Sequence, residues 1–227
     1  MVVRTVFLDA GGVLVFPNWR RISEALARHG VKADPAALAA AEPLAKKQLD
    51  VSSDMQTTSD QQRGWTYFDL ILTHAGVRLS PATDAALQEL HGYHQVSNLW
   101  ETVPDDVAPV LHALRARGHR LAVVSNANGT LRRAFDRLGL APMVDAIFDS
   151  CDEGVEKPDP RFFQLALERT GSRADTTVHV GDLYFVDVAG ARAAGIQPVL
   201  LDVAGLYDGY DCLRVRSLAG LVELLDA

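Results

Sequence analysis

Four stretches of this 227-residue chain carry residue types suited to handling an anion beside a hard cation. They are Asp9-Ala10-Gly11-Gly12-Val13, Ser125-Asn126, Glu156-Lys157-Pro158-Asp159-Pro160, and Gly181-Asp182 followed by Asp187. A hard divalent ion such as Mg²⁺ takes oxygen ligands, commonly one or two carboxylates together with the oxygens of a bound phosphate. Asp9 and Asp182 could supply those carboxylates. A phosphate also needs donors, which the Ser125 hydroxyl and the Lys157 ammonium could give. Glycines at 11 and 12 let the backbone approach an anion closely. Asp9 could further act as a carboxylate nucleophile. Taken singly, each residue has an ordinary reading: Asp9 or Asp182 as a turn residue, Ser125, Asn126 or Asp187 as a helix cap, Lys157 as a solvated surface lysine. The functional reading rests on all of them together, in order, each behind a separate strand.

Those strands are visible as short apolar runs at Val2–Leu8, Leu121–Val124, Ala146–Phe148, Thr177–Val180 and Pro198–Leu201. Each has the length and β-branched content of a strand buried on both faces. Helical stretches lie between the later ones: Asp105–Arg117 stopping at Gly118, Gly129–Leu138 stopping at Gly139, Arg161–Arg169 opened by Asp159-Pro160, and Val188–Ala194 stopping at Gly195. The alternation predicts an α/β fold, a doubly wound, Rossmann-like parallel sheet. In such sheets ligands bind beyond the carboxyl ends of the strands, where the four stretches fall.

One interval breaks the rhythm. Roughly 110 residues separate Asp9 from the strand at Leu121, where a crossover unit needs only about 30. The interval reads as helices: Ile22–His29, Asp34-Pro35 to Gln48, Asp60–Ala75, and Ser80-Pro81 to His94. The expected organisation is therefore a core of residues 1–16 and 100–227 with an inserted all-helical domain at 17–99. Trp65, Phe68 and Leu72 are expected in the insert's core, Lys46 and Lys47 on a solvated face, and the polar Asp50–Gln62 as its mobile connection.

Composition bounds the alternatives. The net charge of −7 repels phosphate backbones and argues against a general nucleic-acid binder. No apolar run approaches the roughly 20 residues that span a bilayer. Two cysteines, Cys151 and Cys212, do not make a disulfide framework. The expectation is a cytoplasmic protein with a small-molecule substrate.

In combination the motifs resemble those of the haloacid dehalogenase superfamily. Val6-Phe7-Leu8-Asp9-Ala10-Gly11-Gly12-Val13 stands in the place of its first motif, Val123-Val124-Ser125-Asn126 of its second and Lys157-Pro158-Asp159-Pro160 of its third. The stretch Val180-Gly181-Asp182 to Asp187, running into Val188-Ala189-Gly190-Ala191, stands in the place of its fourth. The likeness runs end to end, and the helical insert sits where the family carries its cap. It implies that Asp9 is a nucleophile forming an aspartyl-phosphate. It also implies that Asp9, the Gly11 carbonyl and Asp182 hold Mg²⁺, with Asp187 ligating or orienting, and that Ser125, Asn126 and Lys157 hold the transferring phosphoryl group. The family's phosphatases place a second Asp, a general acid and base, two residues after the nucleophile; here that position is Gly11. The implied function is Mg²⁺-dependent hydrolysis of a small phosphorylated metabolite. The rivals are a metal-independent 2-haloacid dehalogenase, whose relatives lack the aspartate matched by Asp182, and a phosphate- and metal-binding regulatory protein with little turnover. His91 or His94 could donate the proton that Gly11 cannot, and Phe16–Arg20 could line the substrate entrance.

Overall fold

All four residues of the first strand, β1 (Thr5–Leu8), are buried, so the sheet is covered on both faces at its centre. The structure is a computed structural model and describes residues 2–51 and 60–226, with 60–65 described by their backbone alone. Five further strands join β1: β4 (Arg120–Ser125), β5 (Ala146–Asp149), β6 (Thr177–Gly181), β7 (Gln197–Leu201) and β8 (Leu213–Val215). They lie in the order β5-β4-β1-β6-β7-β8, and every pairing is parallel. The strand order reverses at β1, which places the topological switch point there. Leu8 is level with Val123 on one side and Val180 on the other. Asp9, Ser125 and Gly181-Asp182 therefore leave the sheet at the same end.

Phe7, Ala122, Val124 and Phe148 form one apolar cluster with Phe162, Phe163 and Ala166 of α8 (Pro160–Thr170) and Ala191 of α9 (Ala189–Ala193). The alternate residues Val6, Leu8, Leu121 and Val123 are equally buried, as the period of two requires in a doubly wound sheet. The remaining helices of this unit are α5 (Val107–Ala116), α6 (Leu131–Arg137), α7 (Ser150–Glu153) and α10 (Leu218–Asp226). The Asp159 carboxylate accepts from Arg161 N–H at 2.9 Å with Pro160 at the first helical position, as the sequence predicts for the start of α8.

Several elements differ from the expectation. Residues 2–4 lie outside β1. Strand β8 was not expected, because it has only three residues, at the sheet edge, and Leu213 is exposed; helices α7 and α10 were not expected either. A small two-stranded sheet of β2 (Phe16–Pro17) and β3 (Trp100–Thr102) is too short to leave a periodic signal. The helix expected at Val188–Ala194 is preceded by a π-turn at Tyr184–Val188.

The chain divides into two units, Met1–Phe16 with Glu101–Ala227, and Pro17–Trp100. The second is helical: α1 (Trp19–Arg28), α2 (Pro35–Asp50), α3 (Asp60–His74) and α4 (Pro81–Ser97). Each readable start has a capping side chain, Asn18 for α1, Asp34 for α2 and Ser80, in a reciprocal box with Thr83, for α4. Ile22, Leu26, Leu38, Ile71, Leu72 and Leu87 are buried within the unit. Phe68 is half-buried, with its ring 5.8 Å from that of Trp100. The Trp65 side chain and residues 52–59 of the expected connection lie outside the described residues. Lys46 and Lys47 do not form a solvated face. Both are half-buried, and Lys46 pairs at 2.8 Å with Glu42, which also accepts from Tyr67 Oη.

Candidate active site

Asp9 is fixed where β1 ends. Its N–H donates to Val180 O at 2.8 Å, and its own Oδ1 accepts from Ala10 N–H at 2.8 Å. Beyond it the chain doubles back: Leu14 and Val15 both donate to Ala10 O, and Gly12 donates to Val15 O. Gly12 makes this turn at φ 76°, a conformation that favours glycine. Gly11, two residues beyond Asp9, bridges to Val15.

Lys157 is 0% exposed, so the ordinary reading of a surface lysine fails. Its Nζ donates to Asp187 Oδ1 at 2.7 Å and lies 2.9 Å from Asp9 Oδ1. Burial alone would push the ammonium toward neutrality, but the Asp187 and Asp9 carboxylates more than offset this and hold it above its ordinary value. Burial would likewise raise Asp187, yet Lys157 and His179 hold it well below the usual carboxylate range. The site therefore contains a fully charged, buried lysine–aspartate pair.

The Lys157 backbone is gripped by Asn126, whose Nδ2 donates to Lys157 O at 2.9 Å and whose Oδ1 accepts from Lys157 N–H at 2.7 Å. The Asn126 side chain, expected on a substrate, thus commits both polar atoms to Lys157. Ser125 is buried at the end of β4, and its Oγ lies 3.5 Å from Asn126 O, long enough for a better acceptor to replace that contact. The loop after Ser125 is braced by two residues the sequence reading did not single out. Asp149 accepts from the N–H groups of Gly129 (2.9 Å), Leu131 (3.2 Å) and Cys151 (3.0 Å). Ser150 Oγ meets Ala127 N at 3.1 Å and Ala127 O at 3.2 Å. The signal for Asp149 was present, since it ends an apolar run, but its partners Gly129 and Leu131 lie 20 and 18 residues away.

Asp187 reaches Lys157 because the π-turn swings it back over Gly181. Asp187 N–H donates to Leu183 O at 2.9 Å, and Leu183 N–H donates to Asp187 Oδ2 at 3.1 Å. A Cβ on Gly181 would lie 2.0 Å from Asp187 Cγ, so no larger residue fits there. Gly190 similarly admits Pro158, whose Cα would lie 2.9 Å from an added Cβ. His179 Nε2 lies 2.9 Å from Asp187 Oδ1, and burial pushes this imidazole below its ordinary value. Sequence reasoning missed His179, which sits inside an apolar run.

Asp9, Asp182 and Asp187 are buried, and each offers an oxygen such that the three lie within 4.8 Å of one another. Carboxylate oxygens at this spacing fit a hard divalent cation. The oxygens of Asp187 already accept from Lys157, His179 and Leu183, so Asp9 and Asp182 are the better-suited pair. In the helical unit, His91 Nε2 pairs with Gln95 at 2.8 Å, and His94 Nδ1 accepts from Leu99 N–H at 3.1 Å with its ring 5.2 Å from that of Trp100. Burial, and secondarily His91, lowers His94 to about 4. Of the residues Phe16–Arg20, Phe16 and Pro17 form β2, Asn18 caps α1 and Trp19 begins it. Among the described residues no helix is long and apolar enough to cross a membrane.

The family model for haloacid dehalogenase-like hydrolases matches residues 3–195. Ribulose-1,5-bisphosphate 5-phosphatase of Halopiger xanaduensis is 34% identical over 155 residues, covering 67% of this chain and 64% of that protein. Haloacid dehalogenase-like hydrolase domain-containing protein 3 of Homo sapiens is 34% identical over 142 residues, covering 61% and 56%. Glyceraldehyde 3-phosphate phosphatase of Methanopyrus kandleri is 32% identical over 134 residues, covering 59% and 57%. The matched region thus spans less than two thirds of each of these relatives. Among solved structures, a magnesium-bound HAD-hydrolase, YfnB of Bacillus subtilis, covers all of both chains with a TM-score of 0.73 at 18% identity. A 2-haloacid dehalogenase of Pseudomonas syringae pv. Tomato covers 99% of both with a TM-score of 0.60 at 26% identity.

Proposed function

This chain belongs to the haloacid dehalogenase-like hydrolase family, and from that premise we propose that it is a Mg²⁺-assisted phosphatase of a small phosphorylated metabolite, with Asp9 as nucleophile. One observation carries the proposal: the buried Lys157 ammonium lies against Asp9 within a cluster of three carboxylates. Three carboxylates and one ammonium leave a net charge of −2, which repels a phosphate dianion until a divalent cation neutralises it. Mg²⁺ held by Asp9, the Gly11 carbonyl and Asp182 would supply that charge and draw electron density from the phosphoryl oxygens.

The chain's own residues do the rest. An Asp9 carboxylate oxygen attacks phosphorus, the bond to the leaving oxygen breaks with its electron pair, and an aspartyl-phosphate forms. Water then cleaves that acyl phosphate, releasing inorganic phosphate and restoring the Asp9 carboxylate. Lys157 and the Ser125 hydroxyl hold the transferring oxygens as charge shifts. Asn126 fixes the Lys157 backbone while Asp187 holds its ammonium. Two of the named relatives are phosphatases of ribulose-1,5-bisphosphate and of glyceraldehyde 3-phosphate, which supports a small phosphorylated substrate. The Pro17–Trp100 unit is proposed to serve as the cap domain.

Phosphate release from acetyl phosphate and p-nitrophenyl phosphate, with and without Mg²⁺, tests this function. Metal-dependent release that Asp9→Asn reduces by roughly 10³-fold or more is expected. Halide release from a 2-haloacid without metal, with no phosphate release, would replace the proposal by a dehalogenase. Tight phosphate binding without turnover would replace it by a regulatory protein.

A further inference from the structure

Strand β6 is buried along its whole length, and an apolar side chain at position 179 would serve its packing. Instead a fully buried imidazole stands there, its ring 4.8 Å from that of Phe163 in an edge contact. Nε2 lies 2.9 Å from Asp187 Oδ1, while Nδ1 has no hydrogen-bond partner. An ionised carboxylate only accepts, so Nε2 carries the hydrogen and Nδ1 is a bare lone pair in apolar surroundings. A buried polar atom without a partner costs free energy. The compensating contact is the one with Asp187.

We propose that His179 is a positioning residue for Lys157: by donating from Nε2 to Asp187 Oδ1, it fixes the carboxylate whose same oxygen receives Lys157 Nζ. Asp187 is then pinned at both oxygens, Oδ2 by Leu183 N–H and Oδ1 by His179. It cannot turn about its Cβ–Cγ bond toward Asp9 and Asp182, whose oxygens lie within 4.8 Å of its own. His179 thereby assigns Asp187 to the lysine rather than to the cation. Lys157 in turn stays 2.9 Å from Asp9.

The kinetic consequence rests on the phosphatase proposal, whereas the geometry does not, and two measurements separate them. Long-range ¹⁵N–¹H correlation on the intact protein at neutral pH should show His179 as the Nε2–H tautomer. A ring that carries its hydrogen at Nδ1 and leaves Nε2 bare would overturn the proposal whatever the activity. Steady-state hydrolysis of p-nitrophenyl phosphate at saturating Mg²⁺ is then compared for wild type, His179→Leu and His179→Gln, each checked as folded by near-UV circular dichroism. A supporting partner of this kind is worth roughly 10-fold in rate, so His179→Leu should lose about that in kcat with KM within about twofold. His179→Gln keeps an N–H donor and should recover to within about threefold of wild type. A folded His179→Leu with wild-type kcat, or a folded Gln variant as slow as Leu, would overturn the proposal. Wild type without phosphatase activity would defeat the proposed function and leave the tautomer to decide this inference.

Discussion

Gly11 and Gly181 show how much a missing side chain decides at this site. At Gly181 the space of a Cβ is filled by Asp187. Gly181→Ala should displace Asp187 and destabilise the fold by about 1–3 kcal/mol, the usual range for overpacking. Urea denaturation reads that loss, and kcat should fall with it. Wild-type stability and turnover would show that Asp187 has room to move. At Gly11 no side chain can protonate a leaving group, which matters for an alkoxide and little for a carboxylate or nitrophenolate. The wild type should therefore favour acyl phosphates and aryl esters over alkyl phosphomonoesters. Gly11→Asp should raise turnover on alkyl esters by roughly 10-fold, below the full general acid–base factor because the new carboxyl is not preorganised. The dependence of rate on leaving-group pKa checks this, and a wild-type slope as shallow as the variant's would show another proton donor at work. That Asp9, Lys157 and Asp182 come together was legible because each follows a separate strand of the parallel sheet. The roles of Asn126, Asp149 and His179 were not, because each is defined by partners eight to thirty-one residues away.

Helix starts and buried strands were readable where local chemistry sets them. Asp34-Pro35, Ser80-Pro81 and Asp159-Pro160 each cap the helix they announce. The π-turn at Tyr184–Val188 was not readable, since its wide turn is held by Asp187 and Leu183 rather than by a periodic pattern. Strand β8 was missed for want of an apolar run. Helix α4 carries a pH-sensitive residue: burial, reinforced by His91, lowers His94 from 6.5 to about 4. The unfolded chain therefore binds the proton first as pH falls. Stability from the neutral imidazole is present above about 6.5, declines below it, and stops declining below about 4. By pH 5 the loss from this group is about 2 kcal/mol. Urea unfolding between pH 7 and 5 should show it, and His94→Gln should flatten that slope. Equal slopes for the two proteins would mean that His94 is protonated in the native state.

The six-stranded parallel sheet, with Asp9 at the point where strand order reverses, ties the local chemistry to the whole molecule. The buried cluster of Asp9, Asp182 and Asp187 there favours a cation. Mg²⁺ at about 100 times its Kd should stabilise the wild type by about 2.7 kcal/mol. Asp182→Asn should lose most of that gain in a thermal melt, and an undiminished gain would place the ion elsewhere. The most direct test is to quench the enzyme during turnover of acetyl phosphate with Mg²⁺, digest it at acid pH and weigh the peptides. The expected result is one added phosphoryl group on the peptide containing Asp9, sensitive to hydroxylamine and absent from Asp9→Asn. Rapid turnover with no phosphorylated peptide under quench conditions that preserve acyl phosphates, or with the group on another residue, would contradict a nucleophilic Asp9.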